Sequence, residues 1–462
     1  MRPYGESLQS ARILYPCSEQ PQGSLTMRNN GSRRVFSPPA IIGVKEGGEA
    51  LDSSVAIETA KHVLLACGFI LAAGMLGGLL ARRLGIPDVV VYLLVGIVLG
   101  PELAGAVSIK ADSALNQIIL IFGACYILFD GGASLRLAVL KEVWITIVVI
   151  ATIGVVITGV ITAVAAYYLL AIPFMVALLL GAAIASTDPA TLVPVFRQVR
   201  VRERVAQTVM SESALNDATG AILTFAVLAV ATGAGEFSVG AAFADLGKQA
   251  LFGMVVGGVL GYLAALFIAH EKMAFLAEYA PLVTLMAVIG AYLGADKLQA
   301  SGFMAVFTFG IVLGNKDAFG FAMEAKEQER LEEFVMTTAL IMRMFIFILL
   351  GAQVDFALMN RYLVGGAAVI AIFMLVARPL TVFACAWPDR RARWSFKEML
   401  FMCWTRETGV IPAALAGLLV GMKAPGADII AAVTFIAVLM TILIQATTTR
   451  WLARKLGLLI EA

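Results

Sequence analysis

Long apolar runs recur through this sequence from about residue 60 onwards, and they constrain its fold more than any other feature. The runs 63–81, 143–170, 251–269 and 431–446 are close to the roughly 20 residues that an α-helix needs to cross a bilayer. Their residues do not alternate between polar and apolar types, as the strands of membrane β-barrels do. We therefore predict an all-α, polytopic membrane protein.

The composition agrees with this class of protein. Hydrophobic residues make up 60% of the 462 residues and charged residues 14%, whereas soluble domains carry roughly 25% charged residues. The net charge of +2 does not indicate a nucleic-acid partner. Five cysteines without paired spacing and two histidines give no pattern typical of a disulfide framework or a zinc site. The sequence has no Gly-x-x-x-x-Gly-Lys-Ser/Thr loop for ATP, so neither a cofactor nor an enzyme activity is expected.

The chain divides into a polar tail and a series of apolar segments. Residues 1–57 have no sustained periodicity and are predicted to form a disordered tail, in which Met27 is an alternative start. We predict thirteen hydrophobic segments after it. They lie near 61–82, 86–102, 113–131, 142–170, 173–197, 204–233, 247–270, 278–294, 298–315, 330–352, 362–386, 397–421 and 427–452.

Basic residues in the loops predict how these segments are oriented. Lysine and arginine are concentrated after the odd-numbered segments, as at 82–83, 200–204 and 390–393, and they are sparse in the other loops. Such residues stay on the cytoplasmic side of a membrane. We therefore expect the N-terminus outside and the C-terminus inside, with the chain in the cytoplasmic membrane.

Two glycine-rich stretches occur twice. The sequence GIVLGP at 96–101 returns as GIVLGN at 310–315, and the glycines of FDGGA at 129–133 are echoed in LLGA at 349–352. These matches relate the second segment to the ninth and the third to the tenth. Because the displacement is an odd number of spans, the two copies are inverted in the membrane. Inverted repeats are typical of secondary transporters, whose substrate sites lie on broken helices near the membrane midplane.

Two apolar segments carry residues that break a helix. The fifth reads Ser-Thr-Asp-Pro at 186–189, and the twelfth reads Thr-Arg-Glu-Thr-Gly-Val-Ile-Pro at 405–412. Proline removes a backbone donor, so both helices are predicted to unwind here, where the backbone is buried or lines a cavity. We expect the two discontinuous helices to cross, with Asp188 and Arg406 neutralising their ends. Alternatively, Thr-Asp-Pro caps a helix after a re-entrant turn.

The sixth segment places polar groups on one face of a helix. Ser213 and Asp217 are four residues apart, and so are Glu212 and Asn216 on the neighbouring face. Together with unwound carbonyl groups and the Thr187 hydroxyl, they form a set of hard oxygen ligands suited to an alkali cation. Asp217 is predicted to bind either a proton or the cation, and alternating access makes that competition an antiport. The alternative is a buried polar cluster that only fixes helix packing.

Further charges fall inside apolar segments. They are Asp130 in the third, Arg343 in the tenth and Arg378 in the eleventh, and charges at membrane depth indicate functional sites. A buried Glu212 requires a basic partner. We expect Arg378 to form this structural ion pair, with Arg343 and Arg406 as alternatives.

These residues resemble the monovalent cation:proton antiporters of the NhaP and sodium/proton exchanger branch. The resemblance covers roughly residues 60–455, and its most specific elements are Thr187-Asp188-Pro189 and Asn216-Asp217. It implies thirteen helices, a homodimer, and a core that moves against a dimerisation domain. It implies that Asp217 binds proton and cation. The residues implied around it are Thr187, Asp188, Ser213, Asn216 and Asp130, of which Asp130 stands where some members have glutamate.

We divide the chain accordingly. Residues 58–456 form the antiporter domain, with a core at 142–233 and 362–456, a dimerisation scaffold at 58–141 and 271–361, and a linker helix at 247–270. The predicted function is secondary active exchange of Na⁺ or Li⁺, or K⁺, for H⁺ in a lipid membrane. By family analogy, Asn216 in place of a second acid before Asp217 suggests electroneutral exchange. The alternatives are a transporter of another solute with the same fold, and a non-transporting sensor or channel.

Overall fold

A computed structural model describes residues 53–110, 113–188, 192–193, 195–196, 199–233, 239–270 and 275–460. Residues 1–52, which make up most of the predicted tail, lie outside the described residues, as do Pro189 and Pro194. Within the described ranges, β-type pairing is limited to one isolated antiparallel bridge between Val201 and Leu459. The all-α prediction is therefore confirmed.

The helices are numbered here in chain order. They are α1 (Ser53–Leu84), α2 (Asp88–Leu99), α3 (Ala114–Ala133), α4 (Leu137–Val149), α5 (Val155–Leu170), α6 (Phe174–Ile184), α7 (Glu203–Ala231), α8 (Val239–Ala269), α9 (Ala280–Lys297), α10 (Gly302–Gly314), α11 (Ala325–Ala352), α12 (Phe356–Ile372), α13 (Arg378–Ala386), α14 (Phe396–Trp404), α15 (Val410–Gly421), α16 (Ala427–Met440) and α17 (Thr447–Leu456). Three π-helical turns, at Ile150–Gly154, Phe373–Ala377 and Thr441–Ala446, join α4 to α5, α12 to α13 and α16 to α17.

These helices account for the predicted membrane segments. In the described part of the chain, nine stretches are long and apolar enough to cross a membrane by length and composition, and α2, α6, α10 and α15 are shorter apolar helices. Several helices begin earlier than predicted: α1 begins at Ser53 rather than near residue 61, α12 at Phe356 rather than near residue 362, and α8 at Val239 rather than near residue 247. Its first turns lie outside the apolar run and carry Asp245, whose carboxylate lies 3.8 Å from the Lys248 ammonium. Hydropathy thus marked the membrane part of this helix and missed its first residues, 239–246.

The glycines of the inverted repeat form two equivalent helix contacts. α2 packs against α11 at Gly351, where a Cβ atom would lie 2.9 Å from the backbone nitrogen of Ile97. α3 packs against α10 at Gly310, where a Cβ atom would lie 3.0 Å from the backbone nitrogen of Ala133. Small residues permit this close approach of membrane helices. Because the repeat relates α2 to α10 and α3 to α11, the same inversion relates the two contacts.

Two helices unwind where the sequence predicts, and the unwound segments meet. α6 ends at Ile184 and is followed by non-helical residues 185–188, while residues 405–409 separate α14 from α15. The N–H group of Asp188 donates a hydrogen bond to the carbonyl oxygen of Glu407 at 3.0 Å. The two breaks are thus joined through their main chains.

Asp389 anchors the loop between α13 and α14. Its carboxylate accepts hydrogen bonds from the Thr146 hydroxyl at 2.6 Å and from the N–H groups of Arg391 and Ala392 at 3.0 and 3.2 Å. The Trp394 indole N–H donates to the same hydroxyl at 2.8 Å. Burial opposes the charged carboxylate, but these hydrogen bonds outweigh it and hold the pKa of Asp389 below its usual range. The network ties the loop to α4.

Candidate functional site

The predicted site residues gather where the two unwound segments meet α7 and the start of α13. Buried polar groups in proteins normally have hydrogen-bond or ion-pair partners. A buried group without one is therefore a candidate for binding a ligand. The side chains with 0% or 1% exposure here are Thr187, Asp188, Glu212, Ser213, Asn216, Asp217, Arg378 and Arg406.

The first unwound segment is braced against α7 through Thr187. Asn216 Oδ1 accepts a hydrogen bond from the Thr187 N–H at 3.0 Å, and Asn216 Nδ2 donates to Thr187 Oγ1 at 2.7 Å. The Thr187 hydroxyl donates in turn to Ser213 Oγ at 2.9 Å. In a continuous helix the Thr187 N–H would bond to the preceding turn, so this contact requires the break. Asn216 thereby positions the Thr187 hydroxyl, and its hydrogen-bond partner Ser213 lies one helical turn before Asp217.

Asp217 is a buried acid that the surrounding protein does not satisfy. Its side chain is 1% exposed, yet neither carboxylate oxygen has a hydrogen-bond partner among the described residues. The nearby charged groups are Asp188, Glu212 and Arg406, so acids outnumber bases around it. An unpaired buried carboxylate is strongly unfavourable, and a bound proton or cation removes that penalty. Asp217 is therefore positioned to take a positively charged ligand.

Asp188 and Arg406 lie at opposing helix ends in the crossing. Asp188 Oδ2 accepts a hydrogen bond at 2.7 Å from the N–H of Val410, the first residue of α15. The Arg406 guanidinium donates to the carbonyl oxygen of Ala185, at the end of α6. Each charge is opposite in sign to the helix end that it contacts. Gly409 permits the approach, since a Cβ atom there would lie 2.8 Å from the Asp188 Cβ.

Glu212 is held by two arginines, one at the start of α13 and one in the second unwound segment. Arg378 reaches both of its carboxylate oxygens, at 3.0 and 3.3 Å, and Arg406 Nη1 lies 3.5 Å from Oε1. Asn216 Nδ2 also donates to Oε1 at 2.9 Å, while Arg378 Nε donates to the carbonyl oxygen of Met402 at 3.2 Å. In contrast to Asp217, Glu212 is thus fully occupied by protein groups.

Asp130 and Arg343 have other described surroundings. Asp130 lines a cavity of about 280 Å³ between α3, α10 and α11, and the described lining of that cavity holds none of the other predicted site residues. Arg343 Nη2 lies 3.8 Å from Asp88 Oδ2. Of the three arginines considered for Glu212, the structure places Arg378 and Arg406 beside it and Arg343 elsewhere.

Glu407 is a buried acid at the crossing that the sequence analysis did not single out. It is 0% exposed, and neither carboxylate oxygen has a hydrogen-bond partner in the described ranges. Its position directly after Arg406, within an apolar segment, is the signal that identifies it. The next residue, Thr408, donates its N–H to the Thr441 hydroxyl at 3.0 Å. A side chain from a neighbouring helix therefore braces the second unwound segment, as Asn216 braces the first.

Comparisons with known proteins agree with this architecture. Residues 69–455 match the family described as sodium/hydrogen exchanger, transmembrane. The chain is 33% identical over 426 residues to Na⁺/H⁺ antiporter 1 of Methanocaldococcus jannaschii, covering 86% of this chain and 96% of that one. It is 27% identical over 409 residues to the K⁺/H⁺ antiporter NhaP of Alkalimonas amylolytica, covering 87% and 68% respectively.

A solved structure extends the comparison to three dimensions. The sodium proton antiporter MjNhaP1 from Methanocaldococcus jannaschii, determined at pH 8, matches with a TM-score of 0.69 and 31% sequence identity. The match covers 86% of this chain and 99% of that structure. Sequence and fold therefore agree over nearly the whole helical region, and the chain belongs to the transmembrane sodium/hydrogen exchanger family.

Proposed function

We propose that this protein is a secondary active antiporter that exchanges a monovalent cation for H⁺ across the cytoplasmic membrane. The observation that carries the proposal is Asp217, whose two buried carboxylate oxygens have no hydrogen-bond partner among the described residues. The hydroxyl groups of Ser213 and Thr187 lie on the adjoining turn and unwound segment. The relatives include Na⁺/H⁺ and K⁺/H⁺ antiporters, so Na⁺, Li⁺ and K⁺ are the candidate cations.

One carboxylate is sufficient for exchange, because a proton and a cation neutralise the same charge. A cation at Asp217 has the oxygens of Ser213 and Thr187 as further hard ligands. When it leaves on one side of the membrane, a proton takes its place before the site turns to the other side. Since Glu212 is already neutralised by arginine and Asn216 carries no charge, one proton exchanges for one cation. Transport is then electroneutral.

Alternating access is assigned to a core that moves against a scaffold. The core comprises 142–233 and 362–456, the scaffold comprises 58–141 and 271–361, and 247–270 links them. The helix crossing lies wholly within the core, and the glycine contacts of α2 with α11 and of α3 with α10 lie wholly within the scaffold. This separation of tightly packed contacts supports the division. In the proposed assembly, two scaffolds pair as a homodimer in the lipid bilayer.

A cavity of about 330 Å³ supports a route to the site from one membrane face. Arg136 and Arg200 line it in the loops, and Met210 lines it on α7. Met210 is three residues before Ser213 and seven before Asp217, so all three share one face of the helix. Because basic residues concentrate on this side, the positive-inside rule makes it cytoplasmic, with the N-terminus outside and the C-terminus inside.

Flux through proteoliposomes tests the proposal. With an acidic lumen, adding Na⁺, Li⁺ or K⁺ is expected to dequench a pH-sensitive dye as protons leave. Asp217→Asn is expected to abolish this response while retaining the wild-type elution profile in size-exclusion chromatography. The matched control is Asp245→Asn, which removes an acid that is 61% exposed on α8 and is expected to leave exchange unchanged.

Two results contradict the proposal. Cation-driven proton flux that persists in Asp217→Asn refutes the assignment of the site. A cation current without proton movement in the wild-type protein indicates a channel. Electroneutrality is tested separately, because an ionophore that collapses the membrane potential is then expected to leave the dye response unchanged.

A further inference from the structure

Arg343, which takes no part in the proposed exchange, lines a third cavity, larger than the two described above. This cavity has a volume of about 600 Å³ and lies among α1, α2, α11 and the junction of α16 with α17. Three arginines line it, Arg82, Arg343 and Arg450, and the acid in its described lining is Asp88. Three positive charges thus face one negative charge.

The acid does not satisfy the three arginines. Asp88 Oδ2 lies 3.8 Å from Arg343 Nη2, while Asp88 Oδ1 accepts a hydrogen bond from the Val89 N–H at 3.0 Å. Arg343 Nε is buried and has no hydrogen-bond partner among the described residues. Arg82 and Arg450 form no ion pair with any residue that the structure describes. Two guanidinium groups and part of a third are therefore available to a ligand.

Like charges in a shared cavity repel each other, and a bound anion reverses that effect. The planar guanidinium fork matches the paired oxygens of a phosphate group better than those of a spherical anion. The Thr447 hydroxyl in the same lining is a further hydrogen-bond donor. We propose that this cavity binds a phosphate group.

The rim of the cavity indicates where the phosphate comes from. Met75 and Leu79 on α1 and Met336 on α11 line it, and they are 59%, 53% and 48% exposed. In a bilayer such side chains contact acyl chains, and basic pockets between transmembrane helices bind the head groups of anionic lipids. The combination of an arginine pocket with an apolar rim favours the phosphate of an anionic phospholipid over free phosphate.

The site joins the two parts of the proposed transporter. Arg450 and Thr447 belong to the core, and Arg82 and Arg343 belong to the scaffold. A bound phosphate therefore bridges elements that move relative to each other during exchange. A bound anionic lipid is therefore expected to change the transport rate. This effect rests on the proposed function, whereas the binding itself does not.

Thermal unfolding of the full chain in detergent tests the binding independently of transport. Phosphatidylglycerol is expected to raise the midpoint of unfolding, and zwitterionic phosphatidylcholine and inorganic phosphate are expected to raise it less. The test variants are Arg82→Gln and Arg450→Gln, because both side chains are exposed and the Arg343 contact with Asp88 stays intact. Each is expected to weaken the phosphatidylglycerol affinity about tenfold, the loss of one charge-assisted hydrogen bond.

Arg83→Gln is the matched control, since Arg83 is exposed beside Arg82 but does not line the cavity. The lipid site is supported if phosphatidylglycerol still stabilises this control but no longer stabilises the Arg82→Gln/Arg450→Gln double variant. If inorganic phosphate stabilises the protein as much as phosphatidylglycerol does, the phosphate site is supported, but a lipid is not the source of the phosphate. The proposal is overturned if the double variant binds phosphatidylglycerol with wild-type affinity. It is also overturned if neither ligand stabilises the wild-type protein.

Discussion

Replacing Glu212 with glutamine is expected to destabilise the protein strongly. The residue is 1% exposed, and its carboxylate accepts hydrogen bonds from Arg378 at 3.0 and 3.3 Å and from Asn216 at 2.9 Å. Arg406 Nη1 lies 3.5 Å away. Glutamine preserves the shape but removes the negative charge, so both arginines lose their compensating partner. Removing one member of a buried ion pair costs about 3–5 kcal/mol.

This free energy corresponds to a measurable shift of the unfolding midpoint. For domains of 150–250 residues, the midpoint of thermal unfolding falls by about 2–4 °C for each kcal/mol of lost stability, and larger chains lie at the low end of that range. At roughly 2 °C per kcal/mol the midpoint is expected to fall by about 6–10 °C. Intrinsic tryptophan fluorescence, followed on heating, measures this fall of the midpoint, since the chain has five tryptophans.

The control for this experiment is Glu142→Gln. Glu142 is 48% exposed, and its carboxylate lies 3.4 Å from Arg204. Exposed pairs contribute about 0–1 kcal/mol, so the midpoint is expected to change by less than about 2 °C. A comparable fall in both variants would show that loss of any acid, rather than of a buried ion pair, lowers the stability.

The second arginine makes the test more specific. Glu212→Gln/Arg378→Gln removes one stranded charge but leaves Arg406 beside a neutral side chain, so only part of the stability is expected to return. Full recovery contradicts a contribution from Arg406. An unchanged midpoint in Glu212→Gln together with loss of exchange refutes the structural role and assigns Glu212 to the transport chemistry.

Three further substitutions test other parts of the protein. Glu407→Gln replaces a buried acid that has no described hydrogen-bond partner and is expected to be neutral. Neither the unfolding midpoint nor dye-measured exchange is therefore expected to fall; loss of exchange would assign Glu407 to proton transfer. Gly310→Ala places a methyl group 3.0 Å from the Ala133 nitrogen and is expected to cost about 1–3 kcal/mol of stability. The control is Gly417→Ala, where the added Cβ meets open space, and it is expected to be at least as stable as the wild type in the same melt. Because the pKa of Asp389 is lowered, its charge stabilises the fold above about pH 4, and this stabilisation is lost as the pH falls through the folded-state pKa. Asp389→Asn is therefore expected to be less stable than the wild type at pH 7 and to lose less stability than the wild type on acidification. If its melting depends on pH as that of the wild type does, the role of the hydrogen bonds is contradicted.

The helix breaks could be predicted because their causes are local. Proline at 189 and the Gly409–Pro412 stretch interrupt apolar segments, and a membrane tolerates unwound backbone only at buried or cavity-lining positions. The face shared by Ser213 and Asp217 follows from their spacing in the same way. Such features require no knowledge of the partner helices. They identified the segments that meet at the crossing.

Partner choice between distant segments could not be predicted in the same way. The sequence shows that Glu212 needs a base, but it does not show that two arginines share it. Asp88 directly follows Pro87 at the start of α2, where an acid commonly complements a helix end, so its contact with Arg343 was not expected. The π-helical turn at 373–377 was equally hidden, because its residues are as apolar as the helix around them.

The four buried acids of the crossing differ in what surrounds them, and this difference separates their roles. Asp188 holds the first turn of α15 and Glu212 holds two arginines, so neither can release its partner without disturbing the core. Asp217 and Glu407 are unpartnered among the described residues. Only Asp217 shares a helix face with Ser213, whose hydroxyl is already bonded to that of Thr187. A proton can neutralise either acid, but a cation needs several oxygen ligands at once. Competition between the two ions is therefore expected at Asp217, and Glu407 is expected to stay neutral throughout the exchange.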